Sequence, residues 1–288
     1  MSFANLKRES GNLDKLTKAI EALNTTSEGS SSKENFWKPE IDKAGNGYAV
    51  IRFLPAPPSE EDGLPWVKLF NHGFQGPGGW LIDNCLTTKN EKCPVCEHNS
   101  TLWNSGIEAN KEVARKQKRK LSYIANIYIV EDSKHPENEG KVFLFKFGKK
   151  IFDKISEAMN PQFEDEKAVN PFDLWKGANF KLKIRKVEGY QNYDKSEFET
   201  AAPLLDNDDE LEKVWKSEYS LKEYLSDGEF KSYDELKDRL TKVLGEAKPK
   251  TTVEQARSAP KAPVAEPDLS ETEDDDDIKY FERLASSD

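Results

Sequence analysis

Apolar and polar residues alternate along several short stretches of this chain, and turn-forming residues close most of them. In Tyr48–Leu54 (YAVIRFL), Ala49, Ile51 and Phe53 fall on one face and Tyr48, Val50 and Arg52 on the other; Pro55, Pro57 and Pro58 follow. Asn179–Val187 is the clearest strand pattern, with Phe180, Leu182 and Ile184 on the inner face and Lys181, Lys183 and Arg185 on the outer. Ser122–Val130 and Lys141–Phe147 predict two further strands, the second aligning Phe143, Phe145 and Phe147. Trp66–Phe70 and Trp80–Ile82 predict two short ones. Helical spacing appears over residues 4–23 (Leu13, Leu16, Ile20, Leu23), from Gly148 to about Met159, in Asp208–Leu225 and in Tyr233–Leu244. No apolar run is long enough for a transmembrane helix, and the N-terminus lacks the apolar stretch of a secretory signal. A soluble, intracellular protein with no membrane partner is expected.

Composition divides the chain. Thr25–Lys33 (TTSEGSSSK) reads as a flexible linker, and the Pro-, Ala-, Lys- and Glu-rich stretch beyond Gly245 predicts disorder. The net charge of −10 is unevenly spread. Residues 197–288 carry 26 acidic and 13 basic side chains, whereas residues 1–196 carry 27 and 30. The first part can therefore present a basic face, and the second needs a different partner. In the tail, LSETEDDDDIKYFERLASSD, the residues Ile278, Tyr280, Phe281 and Leu284 are spaced for one helix face, the pattern of a peptide that folds on a partner protein.

All three cysteines lie in one segment and, with an upstream histidine, give H-x12-C-x7-C-x2-C: His72, Cys85, Cys93 and Cys96. Three thiolates and an imidazole suit one tetrahedral zinc. His98 competes for the fourth position, but two residues beyond the knuckle is an awkward distance for convergence, which favours His72. A thioredoxin-like pair needs no third cysteine, and the H-x-E of the zinc deaminases is absent. Four protein ligands close the site, so the metal is expected to be structural and the protein not an enzyme.

The most basic run, Lys111–Lys120 (KEVARKQKRK), sets Lys111, Arg115, Lys116, Lys118, Arg119 and Lys120 against Glu112. Such a run is usually a solvated helix face. This one leads straight into the aromatic strand from Ser122, and Tyr190 and Tyr193 follow the cations of 181–185. Cations neutralise phosphates and flat rings stack on unpaired bases, so the combination points to single-stranded nucleic acid.

Several segments, AGNGYAVIRFLP (44–55), NHGF (71–74), CPVC (93–96), KRKLSYIANI (118–127), PENEGKVF with FGKKIFDKI (136–155) and WKGANFKLKIRKVEGYQNYD (175–194), make the chain resemble the single-stranded DNA-binding (helix-destabilising) proteins of T-even-type bacteriophages. The resemblance implies an α+β fold: an OB-fold core, five-stranded and barrel-like, with an inserted zinc-binding subdomain. It divides the chain into a basic N-terminal arm and linker (1–33), a DNA-binding core (34–245) and a disordered acidic tail (246–288). Within the core it sets the zinc subdomain at about 65–115 and an acidic helical segment at about 197–245. It implies zinc on His72, Cys85, Cys93 and Cys96, and DNA contacts from Arg52, Lys118, Arg119, Lys120, Tyr123, Phe145, Tyr190 and Tyr193. Adding the other cations of the two basic stretches gives a channel of Arg52, the 111–120 cluster, Lys181, Lys183 and Arg185. The expected function is cooperative, sequence-nonspecific coating of single-stranded DNA during replication, recombination and repair, in the cytoplasm of an infected bacterium. The arm would contact the next subunit, and the tail would recruit replication and recombination proteins. Departures fall at Lys7–Arg8–Glu9–Ser10, where an acid interrupts the basic run, at Leu121 in place of a hydroxyl residue and at Phe145 in place of a tyrosine. The rival reading is a zinc-knuckle adaptor that binds protein and has no DNA affinity.

Overall fold

A computed structural model of the chain describes residues 3–8, 35–60, 63–163 and 165–245. Most of the helix expected over 4–23, the linker and the whole tail lie outside the described residues.

Eight strands form one antiparallel sheet: β1 (Gly47–Phe53), β2 (Val67–Gly76), β3 (Gly79–Asn84), β4 (Lys120–Glu131), β5 (Val142–Phe147), β6 (Phe180–Val187), β7 (Tyr190–Asn192) and β8 (Glu197–Phe198). The order is β3-β2-β4-β1-β6-β7, with β5 beside β4 and β8 beside β6. The 12-residue β4 is the spine, because its length lets it serve three partners. Lys120–Ile124 pairs with β2, Tyr123–Tyr128 with β5, and its C-terminal part with β1. The end strands β3 and β7 are not paired with each other, so the sheet is not a closed barrel. The expectation of a five-stranded barrel-like core is corrected to this open, larger sheet.

Among the described residues six helices accompany it: α1 (Phe3–Arg8), α2 (Pro94–Trp103), α3 (Glu108–Gln117), α4 (Lys149–Met159), α5 (Asp208–Lys216) and α6 (Tyr233–Leu244). Ile151, Phe152, Ile155 and Met159 form one apolar stripe of α4. That stripe joins Phe53, Trp66, Tyr123, Phe147, Phe172 and Phe180 in the main core. The inward alternation expected for β6 holds, with Phe180, Leu182 and Ile184 buried. In β1 it fails, since Val50 and Arg52 are buried as well as Ala49, Ile51 and Phe53.

The helix expected over 208–225 breaks after Lys216. Asn126 of β4 captures the backbone of Tyr219 on both sides, accepting from its N–H (3.0 Å) and donating to its carbonyl (2.8 Å). The Glu60 carboxylate then takes the N–H groups of Leu221 and Lys222. Helical hydrogen bonding cannot continue through donors already engaged, and a 3₁₀ turn, Lys222–Leu225, follows.

The acidic helical segment has a structural task. Leu236, Leu240 and Val243 of α6 pack with Phe74, Leu81, Leu86, Val95, Cys85 and Cys93 in a second core. Asp83 of β3 receives Lys231 (2.6 Å) and Arg239 (2.8 Å). Gly78 N donates to the Val243 carbonyl (2.8 Å), and a Cβ at Gly76 or Gly78 would collide with the backbone of α6. At the other end of the chain, Phe3 of α1 packs against Trp175 and Trp215, and Lys7 meets Asp208.

Candidate metal centre and nucleic-acid interface

Three elements deliver the four side chains that could hold a metal ion. His72 lies on β2, Cys85 directly follows β3, Cys93 caps the N-terminus of α2, and Cys96 sits in its first turn. Pro94 at the first helical position fixes the entry of α2, and the i, i+3 spacing sets both knuckle thiols on the same side. The donor atoms of His72, Cys85, Cys93 and Cys96 all lie within 4.8 Å of one another. His72 Nε2 is 3.4 Å from Cys93 Sγ and 3.6 Å from Cys96 Sγ, and Cys85 Sγ is 3.5 Å from Cys96 Sγ. A tetrahedron with zinc–sulfur bonds of about 2.3 Å has edges of about 3.5–3.8 Å, so the spacing fits a zinc-sized cation. His98 is not part of this group.

The side chains of this group shift one another's protonation. Burial opposes a charge on His72, but hydrogen bonds and charge from Cys85 and Cys93 outweigh it and hold the imidazole up at about 9. Hydrogen bonds from Cys85 and Cys96 pull the Cys93 thiol down, while those from Cys85 and Cys93 push Cys96 up. Sulfurs packed this closely share protons that a divalent cation would displace. On its far side the imidazole turns Nδ1 to the Gln117 carbonyl (3.4 Å), which also accepts from Asn99 Nδ2 (2.7 Å). This outer layer ties the metal centre to the last residue of α3.

The basic residues are less uniform than the sequence suggests. On α3, Arg115 pairs with Glu108 and Glu112 and lies over the Trp103 ring, and Lys111 pairs with Glu108. Glu108 is a counter-charge that the run 111–120 does not contain. Lys116 is exposed, Lys118 and Arg119 are half-buried and Lys120 is buried. Arg119 lies 4.6 Å from the Phe70 centroid, with Lys68 5.1 Å away on the same ring. Neither Lys68 nor Phe70 stands out in the sequence, because a single lysine in a short strand carries no pattern. On β6, the outward cations are matched one by one: Lys181 with Glu199 (2.8 Å), Lys183 with Glu197 (2.6 Å) and Arg185 with Asp194 (2.5 Å). In the sheet, β6 is separated from β2 by β1 and β4.

Several expected DNA contacts lie in the interior. Arg52 is 0% exposed; it donates Nε to Asn179 Oδ1 (2.9 Å), Nη1 to the Asp173 carbonyl (3.0 Å) and Nη2 to the Ala202 carbonyl (2.8 Å). It holds loops together. Tyr123 stacks on Phe152 at 3.9 Å, which fills the ring face a base would need. Phe145 and Tyr193 are likewise buried in the main core. Alternation shows that such rings share a face, and here that face points inward. Tyr190 differs. It is 49% exposed beside the Glu188–Gly189 turn of the β6–β7 hairpin, where both turn residues have positive φ. No helix among the described residues is long and apolar enough to cross a membrane.

Comparison with known proteins adds to the geometry. Residues 45–244 match the family model described as gp32 DNA binding protein like. The chain is similar to the single-stranded DNA-binding protein of Enterobacteria phage T2, 42% identical over 227 residues that cover 76% of this chain and 72% of that one. It is equally similar to the protein of the same name from Enterobacteria phage T4, with 42% identity over 76% of this chain and 73% of the relative. A third protein of that name, from Enterobacteria phage RB70, is 45% identical over 98 residues, 33% of this chain and 79% of the relative.

Proposed function

The chain belongs to the gp32-like DNA-binding proteins, and from that premise we propose that it coats single-stranded DNA without sequence preference during phage DNA replication. The observation that carries the reading is the match across residues 45–244, which contain the metal-ligating residues, the basic helix and β6. Binding is the whole activity, and no chemistry is performed on the DNA.

The residues offered for phosphate contact are those near the surface: Lys111, Arg115, Lys116, Lys118 and Arg119 around α3, and Lys181, Lys183 and Arg185 on β6. Tyr190 is the ring placed to stack on a base, an interaction of about 1–3 kcal/mol. One structural zinc on His72, Cys85, Cys93 and Cys96 would hold the 65–115 region as a rigid subdomain carrying α3; the donor set and its spacing support this. The sheet built on β4 is read as an elaborated, open OB-type core.

The organisation proposed is an arm and linker at 1–33, a core at 34–245 and a tail at 246–288. The arm would make contacts between neighbouring subunits along the DNA, and the acidic tail would compete for the basic surface and engage replication and recombination proteins. The site of action is the cytoplasm of the infected host, and recombination and repair are further settings for the same binding.

The test is intrinsic fluorescence during titration with a thymine oligonucleotide across a salt series. Quenching, with affinity falling steeply as salt rises, is expected. Flat fluorescence and no salt-dependent binding would leave the protein adaptor as the better description.

A further inference from the structure

Among the described residues three aromatic rings are exposed: Tyr48 (39%), Phe163 and Tyr190 (49%). Two of them stand on one face of the sheet. Tyr48 is opposite Lys183 in the β1–β6 register, and Tyr190 is opposite Val187 in the β6–β7 register. Opposite residues of an antiparallel pair share a face, and so do alternate residues of one strand. Tyr48, Lys181, Lys183, Arg185 and Tyr190 therefore point outward together. Further along β1 the same face is covered, since Val50 and Arg52 are buried. It opens at Tyr48.

A closed turn delivers that ring. Asp42 Oδ1 accepts from the N–H groups of Ala44 and Asn46 (both 2.8 Å), and Asp42 N donates to the Asn46 carbonyl (2.8 Å). Gly47 then runs so close to β6 that an added Cβ would lie 3.2 Å from Ile184 Cδ1, which fixes the strand just before Tyr48.

The spacing of the two rings says what they can hold. Four residues along β6 and two strand spacings across the sheet put Tyr48 and Tyr190 about 16 Å apart. Stacked rings have centroids about 4.5–7 Å apart, so the two tyrosines cannot close on one flat group. Lys183 and Arg185 lie between them, each paired at the surface with an acid, Glu197 or Asp194. Exposed pairs of this kind are weak enough to exchange their carboxylate for a phosphate. The face thus runs ring, cation, cation, ring, which matches a polyanion that carries unpaired aromatic groups along its length.

We propose that Tyr48 is a second base-stacking platform, with single-stranded DNA crossing β1, β6 and β7 diagonally from Tyr48 past Lys183 and Arg185 to Tyr190. The platform rests on the DNA-binding reading above and adds one residue to it, a tyrosine that alternation groups with the buried Val50 and Arg52.

The experiment compares the full-length parent with Tyr48→Thr, which keeps a strand-forming residue without the ring, and Tyr48→Phe, which keeps the ring. Each is titrated with a thymine oligonucleotide across a salt series. Tyr48→Thr should bind about 5–150-fold more weakly, the range for one stacked base. Its slope of log affinity against log salt should stay parental, because no charge is removed. Tyr48→Phe should bind like the parent. A second measurement uses the parent itself, labelled with fluorotyrosine. Its Tyr48 fluorine resonance, assigned as the one missing from Tyr48→Phe, should shift when the oligonucleotide saturates the protein. Parental affinity in Tyr48→Thr, an equal loss in Tyr48→Phe or an unmoved Tyr48 resonance overturns the platform and leaves DNA binding in place. A resonance that moves with an acidic peptide and not with the oligonucleotide gives this face to a protein partner instead. Absence of salt-dependent binding by the parent removes the DNA reading itself, and the platform with it.

Discussion

The imidazole of His72 faces the cysteine sulfurs through Nε2 and the carbonyl of Gln117 through Nδ1, so one ring joins the candidate metal site to the C-terminal end of the basic helix. A partner on the second nitrogen fixes the tautomer and orientation of a metal-ligating histidine. Here the partner carbonyl is itself held by Asn99. Asn99→Ala should therefore weaken metal binding by about 10–100-fold without removing a ligand. Cys93→Ser, or chelation of the parent, should lower the melting temperature and speed hydrogen exchange in Glu108–Gln117. Metal analysis and exchange rates check both; unchanged α3 exchange in the metal-depleted protein would break the proposed link.

The cations of β6 face water, but each is answered by an acid from residues 194–199. Surface ion pairs of this kind contribute little to stability, so their removal should barely shift melting. If Lys181, Lys183 and Arg185 meet phosphates, those acids compete with DNA. Combining Asp194→Asn, Glu197→Gln and Glu199→Gln should tighten oligonucleotide binding at low salt by roughly 3–10-fold, with the gain fading at high salt. Unaltered affinity at 50 mM salt would remove β6 from the interface.

Arg52 is a buried brace, and the expected effect of replacing it follows from its three acceptors. Burial lowers its pKa to about 10, against the pull of Asp173 and Glu199, so the folded protein holds a desolvated cation. Arg52→Met leaves Asn179 Oδ1 and the carbonyls of Asp173 and Ala202 without their donor, at a cost of about 3–5 kcal/mol. Chemical denaturation should show that loss. The affinity of the remaining folded protein for an oligonucleotide should stay close to the parent's; a large selective loss of affinity would return Arg52 to the interface.

Periodicity and spacing reveal only part of this molecule. The strand around Leu182 is legible because a sheet with one buried face enforces alternation. The cluster of His72 and the cysteines is legible because thiolates have few other reasons to crowd one segment. The inward burial of Tyr123, Phe145 and Arg52 is not, since alternation groups residues on a face without saying what covers it. Phe152 from α4 covers Tyr123, and the loops through Asp173 and Ala202 cover Arg52. The capture of Tyr219 by Asn126 is equally hidden, because it joins residues 93 positions apart. The approach of Lys68 and Arg119 to one ring, Phe70, is hidden for the same reason.

Glu218 gives stability a pH dependence that can be worked out from its surroundings. Both carboxyl oxygens are buried with no hydrogen-bond partner among the described residues. Burial first, and then the charge of Glu60, raise its pKa well above the ordinary 4.5. Below that ordinary value both folded and unfolded chains hold the proton, and the group costs nothing extra. As pH rises past it, the unfolded chain releases the proton while the folded chain keeps it, so stability falls until the folded carboxyl also ionises. Glu218→Gln removes the titration and nearly keeps the shape. The variant and the parent should melt together near pH 4, if the acid-side fold persists there. They should diverge above pH 5, with the variant more stable by an amount on the order of 1 kcal/mol at neutral pH. Thermal melting of both proteins across this range checks the sign. A parent that gains on the variant as pH rises would mean that the carboxylate has found a cationic partner.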